Sequence, residues 1–264
     1  MSTYADLLRY RELFANLFRR DLQAKYRGSL LGVAWTLVYP LLLMGIYLLV
    51  FSLLWHTFST RHYALFLLSG LAVWVFFATS LQNASRCLLE NANLIRKVRF
   101  PRQLVPFSAV ATQLVAFGVT LVALVALNLA IIPSTRDTFW IALLLAVPFV
   151  AFVAGVSLAV ANVTVIFRDV EFLIQALLLP WFFLTPVLYP LTDAPGADQH
   201  PRLVDLLHYG NPLTPAVQAI RDPLFGGTAP AAGDVIYLCV SALAALASGA
   251  LVFRRIDDQV AVEI

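Results

Sequence analysis

The side chains in this sequence that most readily suggest metal ligation or acid–base chemistry are His56, His62, His200 and His208, with Asp193, Asp198 and Asp205 close to the last two. A zinc site needs three or four such ligands at short, fixed spacing. No pair here has that spacing, and no helix face gathers two of the histidines, so they read as solvated loop residues. Nucleotide chemistry has no carrier either. A phosphate-cradling loop requires Gly-x-x-x-x-Gly-Lys-Ser/Thr. The only lysines are Lys25 and Lys97; neither follows a glycine and neither precedes Ser or Thr. What remains is a scatter of arginines at the edges of long apolar runs, and many aromatics within them.

Those runs define the elements that would position the chemistry. The chain has 264 residues, of which 61% are hydrophobic and 12% charged, and its mean hydropathy is +0.83. A soluble domain is about 45–50% apolar and about 25% charged, so this composition leaves too little polar surface for a water-soluble globule. It excludes a soluble enzyme, a disordered chain and a disulfide-stapled secreted module. The net charge of +3 is too small and too dispersed for a nucleic-acid binder.

Six long stretches lack Asp, Glu, Lys and Arg altogether: 28–60, 62–85, 103–135, 138–167, 172–192 and 235–253. A hydrocarbon core ~30 Å thick needs about 20 apolar residues as helix, so each run can cross once and none can cross twice. The runs are continuously apolar and do not alternate, which favours helices over the strands of a closed barrel. The sequence therefore predicts an all-α polytopic membrane protein, a single transmembrane domain over 1–264, with spans at 33–54, 64–84, 104–132, 139–166, 172–190 and 234–253. No apolar core precedes residue 28, so the N-terminal segment does not read as a signal peptide.

Lys and Arg set the orientation. Six spans place both termini on one side, and that side collects 14 of the 18 basic residues; Arg61, Arg136, Arg202 and Arg221 fall on the other. Both termini are thus expected in the cytoplasm, with all four histidines outside. Cys87 and Cys239 then lie near opposite faces and read as free thiols.

Three segments outside the spans carry further information. Residues 1–27 are expected to form a cytoplasmic interface helix over 4–22. Arg9, Glu12, Asn16, Arg19 and Arg20 share one arc of the wheel, opposite Leu13, Phe14, Leu17 and Phe18. Residues 86–102 form the one substantial internal cytoplasmic loop. Leu88, Leu89, Ala92 and Ile95 recur there at helical spacing before Pro101, the pattern of a short helix presented to a partner. Residues 193–233 read as an outer hairpin of two short helices broken near Tyr209 to Pro212, where Asn211-Pro212 gives a helix-start signal. An ordinary outer loop competes with a re-entrant hairpin for that segment.

Within the spans, Pro40, Pro106, Pro148, Pro180 and Pro186 are candidate kinks. Gly28 and Gly32 make a Gly-x-x-x-Gly match that permits close helix packing. No charge lies in the interior of a span, so ion coupling has no visible carrier. A transporter half that takes its energy from a separate subunit fits this set.

The residues also carry a resemblance. Arg20-Asp21-Leu22, Lys25-Tyr26-Arg27-Gly28-Ser29-Leu30-Leu31-Gly32, Trp35 and Pro40 resemble the opening of bacterial type-2 ABC export permeases for polysaccharides, a family that includes O-antigen, capsule and teichoic-acid exporters. Asn93 to Pro101, Phe167-Arg168-Asp169, Trp181 with Thr185-Pro186-Val187 and Tyr189-Pro190, and Asn211-Pro212-Leu213-Thr214-Pro215 follow in the family's order.

The resemblance implies a homodimer in the bacterial inner membrane that has no ATPase of its own. Two copies of an ABC ATP-binding subunit would bring ATP and Mg. The cargo would be a polysaccharide on a polyprenyl-diphosphate lipid, and broken outer helices would cap the channel. It further implies ATPase docking through Glu90, Asn91, Asn93, Leu94, Arg96 and Lys97, and Arg20, Lys25 and Arg27 near the lipid diphosphate. Trp35, Tyr39, Phe76, Phe77, Trp181 and Phe183 are the expected channel lining. Pro223, in Arg221-Asp222-Pro223, would break a helix that otherwise continues. Two other functions remain open: a drug or lipid efflux permease of the same superfamily, and an outer-face membrane enzyme acting on lipid-linked glycan through the histidines and aspartates.

Overall fold

The computed structural model describes residues 10–29, 32–54, 62–98, 100–191 and 201–263. All regular structure among them is helical. In chain order the helices are α1 (Arg11–Tyr26), α2 (Trp35–Leu48), α3 (Tyr63–Glu90), α4 (Ala92–Lys97), α5 (Leu104–Ile131), α6 (Phe139–Ile166), α7 (Asp169–Leu184), α8 (Pro201–Tyr209), α9 (Leu213–Arg221) and α10 (Ala232–Glu263). Trp55, His56, Asp193, Asp198 and His200 lie outside the described residues, as do Arg9 and Arg99.

Among the described residues, five helical segments are long and apolar enough to cross a membrane: Gly32–Phe51, Tyr63–Glu90, Leu104–Ile131, Phe139–Ile166 and Ala232–Arg255. The expected fifth span at 172–190 is shorter than its charge-free run suggests. It becomes α7, a helix of 16 residues, which at 1.5 Å per residue is roughly 24 Å long. Thr185 turns extended there, with φ −94° and ψ 133°, because the ring of Pro186 disfavours the helical region in the residue before it.

A second difference concerns the loop at 86–102. No helix breaker stands between Ser85 and Glu90, so α3 runs through to Glu90 and absorbs Leu88 and Leu89. Only Ala92–Lys97 forms a separate helix after the corner at Asn91. The glycine expectation also changes. Gly28 and Gly32 have left-handed backbone, φ +77° and +50°, and no neighbour stands where their Cβ atoms would be; they shape the chain between α1 and α2 and pack no helix pair.

The close crossing lies between α6 and α10. A Cβ on Gly155 would fall on the backbone of Ala245 and Leu246, and one on Gly249 would fall on the Gly155 carbonyl. Small residues let apolar helices approach to backbone contact where no hydrophobic drive separates lipid from protein. Around this pair, α3 is the most enclosed helix: Leu67, Leu68, Leu71 and Phe77 lose essentially all solvent contact. The chain runs up and down through α3, α5 and α6, so the bundle has two ends. One carries α1 and α4; the other carries α8 and α9.

Candidate functional site

At the first end, α1 lies across the start of α5. Leu17 is buried with Leu88, Leu104 and Val165, and Tyr10, Leu13 and Phe14 pack on the same cluster. Glu12, Asn16, Arg19 and Arg20 stay exposed, so the apolar arc of the wheel is the one that docks. Polar bonds then fix the register. Arg20 donates to Asp21 Oδ1 at 2.7 Å and to Asn91 Oδ1 at 2.7 Å. Asp21 Oδ2 accepts from Ser108 at 3.2 Å, and Lys25 Nζ donates to Gln113 Oε1 at 2.7 Å. Desolvation of that ammonium lowers the pKa of Lys25.

These residues wall a cavity of about 530 Å³ between α1, α3 and α5, whose lining includes Thr79, Asn83, Thr112 and Gln113. A second cavity of about 370 Å³ adjoins it, sharing Lys25, Thr79 and Gln113 and adding Trp35 and Tyr39. A third, of about 250 Å³, shares Tyr39, Val75 and Thr79 and adds Tyr47, Trp74 and Phe182. The three together make a track that starts among charges, continues among amides and hydroxyls, and ends among aromatic rings.

The opposite end is held by two side chains. Asn211 Oδ1 accepts from the Trp181 indole at 2.9 Å and from the Leu213 amide at 3.1 Å, while its Nδ2 donates to Thr185 Oγ1 at 2.9 Å. The turn between α8 and α9 is thereby tied to the exit of α7. Arg221 is 5% exposed. It donates to the carbonyls of Pro186 and Val187 at 2.7 and 3.1 Å and to Ser69 Oγ at 3.2 Å, and its guanidinium lies 3.9 Å over the Phe66 ring. Burial pulls its pKa down to about 9, which leaves it charged at neutral pH. Only glycine fits beneath it, since a Cβ on Gly70 would fall on Arg221 Nη2. Pro223 does interrupt α9, but the chain continues as a π turn over Asp222–Gly226 that closes on Gly227 at φ +64°.

The expected site residues divide as follows. Among the docking candidates, Asn93, Arg96 and Lys97 are exposed on α4, whereas Leu94 packs inward on the Leu17 cluster. Glu90 pairs with Arg86 at 3.5 Å, and Asn91 is engaged by Arg20. Arg27 is exposed just after α1. Trp35 and Tyr39 line the track, at 49% and 53% exposure. Phe77 does not border the three cavities, and Phe76 lines only a small hollow of about 20 Å³ beside them, together with Thr79 and Gln113. Both rings sit in the core, Phe76 stacked on Phe117 at 4.8 Å and Phe77 edge-on to Trp181 at 5.2 Å. Phe183 faces outward at 52% exposure.

His208, expected as a solvated loop residue, contacts Asp234 Oδ1 at 2.6 Å and ties α8 to α10. No group of three metal-ligating side chains occurs among the described residues. Gln113, Asn83 and Thr79 carry no charge, so the charge-free runs hide them, although an amide inside an apolar span is itself a signal. In the sequence Arg221 reads as one of four outer basic residues, although it adjoins an apolar run.

Comparison with known proteins covers both ends of this bundle. Residues 12–225 match the ABC-2 type transporter family. An O-antigen export system permease protein, RfbA, of Myxococcus xanthus is 29% identical over 261 residues, 98% of each chain. Two proteins of the same name from Klebsiella pneumoniae are 30% and 28% identical over 219 and 217 residues, covering 82% of this chain and 82% and 81% of theirs. The matched stretch contains α1 with its Asn91 bond, the whole track, and the Asn211 and Arg221 clasps, and on that footing the chain belongs to the ABC-2 type transporter family.

Proposed function

We propose that this chain is the membrane permease subunit of an ATP-driven exporter that carries an O-antigen-like polysaccharide on a polyprenyl-diphosphate lipid out of the cytoplasm. The observation that carries this reading is the near full-length match to a protein named as an O-antigen export permease. The track supports it: a polar opening followed by Trp35, Tyr39, Tyr47 and Trp74 suits a cargo with hydroxyls and flat apolar ring faces.

On this reading α7 is the fifth and shortest of six spans, both termini are cytoplasmic, and α8 and α9 form the outer cap as a re-entrant hairpin. The permease works as a homodimer in the inner membrane. Two ATP-binding subunits supply ATP and Mg, and they meet α4 at Asn93, Arg96 and Lys97, whose side chains are free to be covered. Lys25 and Arg27 sit at the mouth, where they attract the lipid diphosphate.

Deletion of the gene in its native host tests the reading. Surface polymer should vanish while lipid-linked polymer accumulates inside, and the plasmid-borne chain should restore export. Unchanged surface polymer in the deletion strain would exclude it.

A further inference from the structure

We propose that the cavity between α1, α3 and α5 is a binding subsite for an uncharged, hydroxyl-rich saccharide segment, and that the diphosphate of the lipid carrier does not occupy it. The inference rests on the export reading and assigns one piece of the cargo to one place.

Charge decides between the two ligands. The cavity lining holds Arg20 and Lys25, but also Asp21 and Glu90. Asp21 offsets Arg20, and Glu90 is offset by Arg86 from outside the lining, which leaves Lys25 as the lining's one uncompensated cation. Arg20 is moreover engaged by Asp21 and Asn91. A diphosphate, which needs several uncompensated donors or cations, would meet two carboxylates. Arg27, the other cation near the mouth, is not among the lining residues.

The hydrogen-bonding inventory fits hydroxyls. Asn83 Nδ2 donates to the Thr79 carbonyl at 2.6 Å, which leaves its side-chain oxygen as an acceptor. Thr79 donates to the Val75 carbonyl at 2.7 Å, which leaves its own oxygen able to accept. Gln113 accepts from Lys25, so its amide N–H groups and two remaining ammonium protons are donors. Donors and acceptors thus stand side by side, and a sugar hydroxyl, which does both, can use each in turn. The volume, about 530 Å³, lies within the ~300–1,000 Å³ usual for small-ligand pockets. The adjoining Trp35 and Tyr39 provide faces on which a sugar ring can stack.

Photo-crosslinking in the polymer-producing host tests this. The full chain, with p-benzoylphenylalanine replacing Thr79 or Asn83, is expressed with its ATP-binding partner in the deletion strain and irradiated. The expected product is the chain shifted into a glycan-reactive ladder. In a second measurement, Asn83→Cys in a chain with Cys87→Ser and Cys239→Ser is treated with a thiol reagent. Modification should run several-fold slower in cells that make polymer than in cells that make only the lipid diphosphate bearing its first sugar. Equal rates in the two hosts, or adducts only to phospholipid or to the unelongated carrier, would overturn the assignment. So would the absence of glycan adducts at both positions in a chain that still restores surface polymer. Failure of the export reading shows itself separately, as surface polymer that survives deletion of the chain.

Discussion

The guanidinium of Arg20 donates at 2.7 Å to the side-chain oxygen of Asn91, joining α1 to the corner at which α3 gives way to α4. The two residues are 71 positions apart, yet they link the helix lying on the bundle to the start of α4, the helix that on the proposed reading meets the ATP-binding subunit. The contact is solvent-exposed, so it contributes little to stability, ~1 kcal/mol or less. Its role on the proposed reading is to pass motion from one helix to the other.

Asn91→Ala should therefore leave the melting temperature nearly unchanged and lower partner-stimulated ATP hydrolysis roughly fivefold, the low end of a usual coupling free energy. Asn91→Asp should retain coupling, since a carboxylate still accepts from Arg20. The assay is ATPase turnover of the reconstituted complex beside a thermal melt. Equal turnover in all three chains would remove the coupling role.

The clasp around Arg221 should behave oppositely. Its bonds are buried, and two of them satisfy carbonyls that no helix serves. Arg221→Lys puts one nitrogen where three separate ones now bond Ser69, Pro186 and Val187, so it cannot reach all three acceptors, and Gly70→Ala forces the guanidinium from its place. Each should cost about 2–4 kcal/mol, or roughly 4–16 °C in melting temperature at about 2–4 °C per kcal/mol. A melt in detergent within 1–2 °C of the parent for both variants, a difference of less than about 1 kcal/mol, would show that the clasp is not needed.

A glycine contrast checks the crossing of α6 and α10. Gly155→Leu and Gly249→Leu place side chains where the opposing backbone already stands, and should destabilise by more than ~2 kcal/mol. Gly45 lies within α2 with nothing near its Cβ position. Gly45→Ala should be neutral, or stabilising by up to ~1 kcal/mol through helix propensity. Yield of folded protein on size exclusion separates these outcomes.

Asp222 gives a pH signature. Burial raises its pKa from the usual 3.8 to about 6, against the opposing pull of Arg221; Asp234 pushes it further up and His208 pulls it down. The folded state then binds this proton more tightly than the unfolded chain. Stability falls as pH rises from about 4 to about 6, and the penalty is complete above that. Asp222→Asn should relieve it by ~1–2 kcal/mol above pH 6, allowing for partial exposure, and should do nothing below about pH 4. Melting curves of both chains across that range test it; parallel curves would refute the shift.

Much of the bundle is legible in sequence because charge is excluded from lipid. The α6 boundaries, 139–166, follow from the charged residues that flank the run, and the break between α8 and α9 follows from Asn211-Pro212. The family-like motifs also converge as a folded protein requires: Arg20 and Asp21 reach the corner before Asn93, and Trp181, Thr185 and Asn211 share one network. Other features leave no mark of that kind. The true length of α7 is hidden because Pro186 stops a helix without adding charge. Phe76 and Phe77 could face any direction, since an apolar span offers no polar contrast to orient them. The pairing of Gly155 with Gly249 joins isolated glycines on two helices, and no periodicity within either one points to the other.

That pairing has a consequence for how the protein is made. The groove at Gly155 is shaped for α10, which leaves the ribosome well after α6. Until α10 inserts, α6 rests in the bilayer with its closest-fitting surface against lipid, and the nascent chain has no finished core. A polypeptide cut short before residue 232 would therefore keep most of its spans and its motifs and still present quality-control proteases with an open seam.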